Sequence, residues 1–156
     1  MAYVLQAVIA GDELLRDALR DLPAAKVALL GQGLSLAPMT GALFDAVADG
    51  TDVDHLGFRR LPGGFDRLLA EWSAGGPLAY VEAEYFGGVG EQHAAVWAGG
   101  AIVLGPLHVQ EGQPTPPAGS PISQALRRLG LLTIGAEDEF SAAGLHRHRH
   151  SGGWIA

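Results

Sequence analysis

Three apolar, β-prone runs separated by two short glycine turns lie between residues 78 and 104, and they constrain the fold more than any other feature of the chain. Leu78 to Phe86, Glu91 to Trp97 and Ala101 to Leu104 read as strands because they are rich in apolar and β-branched or aromatic residues. The connections Gly87-Gly88-Val89-Gly90 and Ala98-Gly99-Gly100 are short enough to demand hairpins, and glycine supplies the positive φ that such turns use. An antiparallel meander in the C-terminal half is the expected result.

The rest of the chain surrounds this meander with strands and helices. Residues 2–10 are apolar apart from Gln6, as in a buried strand, and Gly11-Asp12 breaks the run, with Asp12 placed to cap a helix. Residues 13–22 carry Leu14, Leu15, Ala18, Leu19 and Leu22 on one helical face, with charge opposite, and Pro23 ends the pattern. Residues 25–30 and 34–39 read as further extended pieces, Thr40 as a helix cap, and 58–61 as a short extended segment. Phe65, Leu68, Leu69 and Trp72 form an i, i+3, i+4, i+7 stripe, which predicts a helix over 64–73. Four of the nine prolines fall in 111–121, a loop, and Ser120-Pro121 then opens a helix with cap and first-turn proline in the favoured order. A short helix is expected over 137–144, and Trp154 predicts that the tail folds back onto the body.

This order implies one α+β domain over residues 1–156, with a mixed or antiparallel sheet and helices packed mainly on one face. No GxGxxG follows the first strand, so a dinucleotide-binding fold is not expected. At 156 residues and 48% hydrophobic content, the chain can build one core without staples. It contains no cysteine, which removes disulfides, thiolate metal sites and a cysteine nucleophile. The formal net charge of −7 disfavours nucleic acid as a partner, since that binding needs a basic footprint. No run approaches the length of a membrane span, and the start lacks the basic and apolar blocks of a secretory signal. Cytoplasmic location is the default expectation.

Strand alternation places Tyr80, Glu82, Glu84 and Phe86 on one face of the first meander strand. Two carboxylates two residues apart can raise one another's pKa or share a cation, although a solvated strand face would show the same spacing. Glu91, Gln92 and His93 follow directly after the turn and could join them in a polar cluster. The glycine-rich turn lacks the lysine and hydroxyl of a phosphate loop and reads as a tight turn. In the tail, His146, His148 and His150 would share one face of an extended chain, a candidate zinc, nickel or copper site. Consecutive i, i+2 ligands, however, are spaced too widely along a strand to converge readily on one ion. No GxSxG, HExxH or EF-hand pattern occurs, so no catalytic residue and no cofactor is assigned.

The stretch from Ala79 to Trp97, with Glu84-Tyr85-Phe86-Gly87-Gly88-Val89-Gly90-Glu91-Gln92 and then Ala95-Val96-Trp97, resembles small stand-alone actinobacterial proteins. In size, acidity and lack of a catalytic motif the chain is similar in type to the immunity proteins that neutralise polymorphic toxins in such bacteria. That resemblance implies a protein-binding, inhibitor-type domain whose partner is another protein, with a basic one matching the charge. Two alternatives stand beside it. One is a small metal-dependent or ligand-binding enzyme using Glu82, Glu84, Gln92 and His93. The other is a structural protein that forms homo-oligomers through a sheet edge.

Overall fold

The computed structural model describes residues 2–52, 56–133, 135 and 138–155. Its centre is a six-stranded sheet in the order β2-β3-β1-β4-β5-β6, with every neighbouring pair antiparallel. The strands are β1 (Ala2–Gly11), β2 (Ala28–Leu29), β3 (Leu34–Pro38), β4 (Leu78–Phe86), β5 (Val89–Ala98) and β6 (Ala101–Val109). The helices are α1 (Asp12–Ala18), α2 (Gly41–Val47), α3 (Phe65–Trp72), α4 (Pro121–Arg128) and α5 (Glu139–Ala143). The α+β class, the antiparallel sheet and the meander β4-β5-β6 are as the sequence predicts. No helix among the described residues is long and apolar enough to cross a membrane.

Helices cover both faces of the sheet, not mainly one. The reason is visible in β1, where Ala7, Val8, Ile9 and Ala10 are all fully buried. A strand that is apolar at both parities needs a partner layer on each side. Ala7 and Ile9 pack with Ala79, Val81, Ala94 and Val96 under Ile122, Ala125 and Leu126 of α4, with Ala143 of α5, Leu145 and Trp154 completing the layer. Val8 and Ala10 pack with Leu78, Tyr80, Ala95 and Trp97 under Leu15 of α1, Leu43 of α2 and Phe65 and Leu69 of α3.

Local signals fix several element ends. The Thr40 hydroxyl accepts the Leu43 amide, and the Ser120 hydroxyl accepts the Ser123 amide, so both expected caps form. Asp12 is the first helical residue and not the cap. Its carboxylate is taken by the Ser35 hydroxyl at 2.5 Å and the Arg16 guanidinium at 2.7 Å. The first helix is shorter than the apolar pattern suggests, yet Leu19 stays buried in the turn that follows. The predicted strand over 25–30 reduces to the two residues of β2, and residues 58–61 form no strand. β6 runs on past Pro106 to Val109, with register shifts against β5 at Ala94/Val96 and Val96/Trp97. An edge strand tolerates proline because one side of its ladder is empty. The helix expected over 137–144 begins, within the described residues, at Glu139, and Glu137 lies outside them.

Trp154 is 8% exposed and docks within the chain, as expected. The Arg147 guanidinium lies 5.1 Å from its ring centre and the His148 ring 4.6 Å away. The tail is tied to β1 by the Val4 amide, which donates to the Arg149 carbonyl at 2.7 Å.

Candidate functional site

Register aligns four polar side chains in one row across the sheet. Gln6 of β1 pairs with Glu82 of β4, Glu82 with His93 of β5, and His93 with His108 of β6. All four stand on the face shared with Tyr80, by the two-residue period of the strands. Glu82 and His93 are only 3% and 5% exposed, so the first glutamate of the expected pair is not on a solvated face. A buried carboxylate needs hydrogen bonds to survive there. Glu82 takes them from backbone: Oε1 accepts the Arg59 amide at 2.8 Å and Oε2 the Arg60 amide at 2.7 Å. Burial nevertheless pushes its pKa above the usual carboxylate range, outweighing those two bonds.

These contacts fasten residues 56–61 across the sheet. Tyr80, fully buried, donates its hydroxyl to the Arg60 carbonyl at 2.5 Å. The Phe58 ring packs edge-on against Tyr80 at 5.2 Å and lies 6.4 Å from His93 and 6.1 Å from His108. The Arg60 guanidinium lies 5.1 Å from the centre of the Phe44 ring. His93 and His108 share a contact between their Nδ1 atoms at 2.5 Å, which requires that one carry the proton and the other accept it. Burial first, and then the neighbouring His93, hold the His108 pKa below the usual imidazole value.

The row continues outward into charge and then into exposed apolar surface. Glu91 holds the Arg59 guanidinium through both carboxylate oxygens, with Nη2 to Oε2 at 3.0 Å, and this fork lowers the Glu91 pKa. His93 Nε2 lies 3.4 Å from Glu91 Oε1, near enough to feel its charge, but finds no aligned hydrogen-bond partner among the described residues. Glu84 pairs in register with Glu91, so the second glutamate of β4 does face a carboxylate. At the tip, Phe86 pairs with Val89 across Gly87 and Gly88, and these two side chains are 58% and 51% exposed. Gly87 and Gly88 have φ of +61° and +81°, which makes this the tight turn expected. Gly90 is required for another reason: a Cβ there would stand 1.8 Å from the Glu84 carbonyl oxygen. Arg59, Glu84, Phe86, Val89, Glu91 and Glu111 together border a shallow cleft of about 180 Å³.

The structure thus brings together Tyr80, Glu82, Glu84, Phe86, Glu91 and His93 of the predicted cluster. It does not bring Gln92, which points through the opposite face. There its Oε1 accepts the Ile122 amide at 3.0 Å, at the start of α4. The enzyme reading that groups Gln92 with Glu82, Glu84 and His93 therefore loses one member to strand parity. The space beside Gln6, Glu82 and His93 is about 10 Å³, room for roughly one water and no substrate. Arg59, His108 and Gln6 are members that sequence reasoning missed.

The three tail histidines do not share one face, because His146 is turned out of line with His148 and His150. Leu145–Arg147 is a 3₁₀ turn, which breaks the alternation between His146 and His148. His148 packs on Trp154, and His150 uses Nδ1 to accept the Gly153 amide at 3.1 Å. Among the described residues no group of three potential ligands is arranged to hold a metal, and His55 lies outside those residues.

Compared with known proteins, the chain matches no family model, no curated protein and no solved structure.

Proposed function

We propose that the protein is a binding domain of the immunity or inhibitor type, which masks a basic protein partner with the turn end of its meander. The observation that carries this reading is the exposed Phe86–Val89 pair, set beside the carboxylates of Glu84, Glu91 and Glu111. A single exposed apolar side chain is ordinary, but an aromatic anchor with an acidic rim has the make-up of an interface centre. Arg59 neutralises Glu91, while Glu84 and Glu111 form no ion pair among the described residues and can meet cations of a partner. The fastening of residues 56–61 supports the same reading, because it fixes Arg59 on the border of the cleft, and a surface fixed in advance loses less entropy on binding.

The test is quantitative capture from the native cell with wild type, a Phe86→Asp/Glu84→Lys double variant, and Leu29→Asp as a control on the far edge of the sheet. Wild type and Leu29→Asp should retain the same stoichiometric protein, and the double variant should bind it at least about thirty-fold more weakly, as loss of a hot spot does. Equal retention by the double variant, or no stoichiometric partner with wild type, refutes the proposal.

A further inference from the structure

The face of the sheet to which Gln92 points holds an open cleft of about 570 Å³, a common size for small-ligand sites. Tyr3, Tyr85 and Phe140 form its aromatic walls, and the Tyr3 and Phe140 rings stand 5.3 Å apart at 60°. Asp138 and Glu139, at the start of α5, bring two carboxylates to it. No lysine, arginine or histidine lines it among the described residues.

The polar groups around the cleft argue against an anionic occupant. The first turn of α4 borders it through Ser120 and Ser123, and a helix start often binds anions through its free amides. Here those amides are already used: Ile122 donates to Gln92 Oε1 at 3.0 Å and Ser123 to the Ser120 hydroxyl at 3.2 Å. The Tyr3 hydroxyl donates to the Leu145 carbonyl at 2.9 Å. Burial raises both phenol pKa values, so the rings stay neutral and keep electron-rich faces. Of the two carboxylates, Glu139 is shared with Arg127 at 3.3 Å. Asp138 caps the Ser141 amide with Oδ1 alone, which leaves Oδ2 as a charged acceptor.

We propose that this cleft binds an organic cation, an ammonium or guanidinium group on a small apolar body, between the aromatic walls and the Asp138 carboxylate. Ring faces attract cations even at solvent-exposed sites, and the exposed Asp138 carboxylate supplies the counter-charge. A free amine and the side chain of a lysine or arginine in a partner share this chemistry. The site is on the opposite face from the Phe86 surface and does not depend on it.

The full chain is titrated with phenethylammonium, with its neutral counterpart 2-phenylethanol, with phenylacetate, and with a capped Gly-Lys-Gly peptide, followed by calorimetry and by aromatic NMR signals. Either cation should bind with a dissociation constant below about 1 mM, at least about ten-fold tighter than the alcohol, and should shift signals of Tyr3, Tyr85 and Phe140. Tighter binding of the peptide marks a partner's side chain as the source, and tighter binding of the amine marks a free ligand. Asp138→Asn, which keeps the capping oxygen, and Tyr85→Leu should each weaken the cation by about ten-fold while the melting curve of the Asn variant is unchanged. Phe86→Asp should leave this binding intact. Equal affinity for alcohol and cations, preference for phenylacetate, or no saturation by either cation at about 10 mM overturns the proposal.

Discussion

Replacing Tyr80 by Phe removes one hydroxyl from the interior and leaves the ring. The ring is fully buried, edge-on to Phe58 at 5.2 Å and to Phe65 at 6.2 Å, and those contacts survive the change. What is lost is the bond to the Arg60 carbonyl, on the same residue whose amide is held by Glu82. The net value of such a bond is about 1 kcal/mol when the freed partner can turn to water, and the loss is about 1–3 kcal/mol where a buried carbonyl is left stranded. A destabilisation near 2 kcal/mol is expected, which lowers the melting temperature by about 4–8 °C for a domain of this size. Urea unfolding, followed by fluorescence of Trp72, Trp97 and Trp154, measures it, with the slope against denaturant unchanged. A loss below about 0.5 kcal/mol, the range of an ordinary surface substitution, would show that residues 56–61 are not fastened through this bond.

Leu126→Ala, at a fully buried position of α4, should cost about 2–5 kcal/mol in the same assay through the cavity it opens. Ser120→Ala should cost about 1 kcal/mol by freeing the Ser123 amide at the start of that helix. His108→Gln should flatten part of the acid sensitivity of folding. Because the folded-state pKa of His108 is depressed, the unfolded chain takes up that proton first, and stability present above the ordinary imidazole value of 6.5 is lost as the pH falls below it. Glu82 acts with the opposite sign, since its raised pKa favours the folded state as the pH falls through that value, so the wild-type curve must be compared with the variant pH by pH. Parallel curves for wild type and His108→Gln between pH 6.5 and acid unfolding would contradict the assignment.

The meander, the stripe of α3 and both caps were legible because each rests on neighbours in sequence: a turn, a helical period, a hydroxyl three residues from an amide. The site was half legible. Alternation alone placed Tyr80, Glu82, Glu84 and Phe86 together, but burial of Glu82 depends on backbone amides 22 and 23 residues away, which no pattern in the strand announces. His108 was hidden because Gly105-Pro106 reads as a strand end. The resumed run Leu107-His108-Val109 was the available signal, and continuing β6 through it would have set His108 beside His93. Gln92 was misplaced by treating adjacency in sequence as adjacency in space, which a strand forbids. Coverage of both faces could have been read from β1, whose residues Ala7 to Ala10 are apolar at both parities.

The two borders of the sheet bear on how the molecule behaves in crowded solution. One border is β2, only two residues long, and the other is β6, where Pro106 offers no amide and the pairing with β5 slips beside it. Neither can template a long run of hydrogen bonds with another chain, so stacking of copies edge to edge into fibres is opposed at both ends. Copies of this domain are expected to meet through side chains more readily than through extension of the sheet.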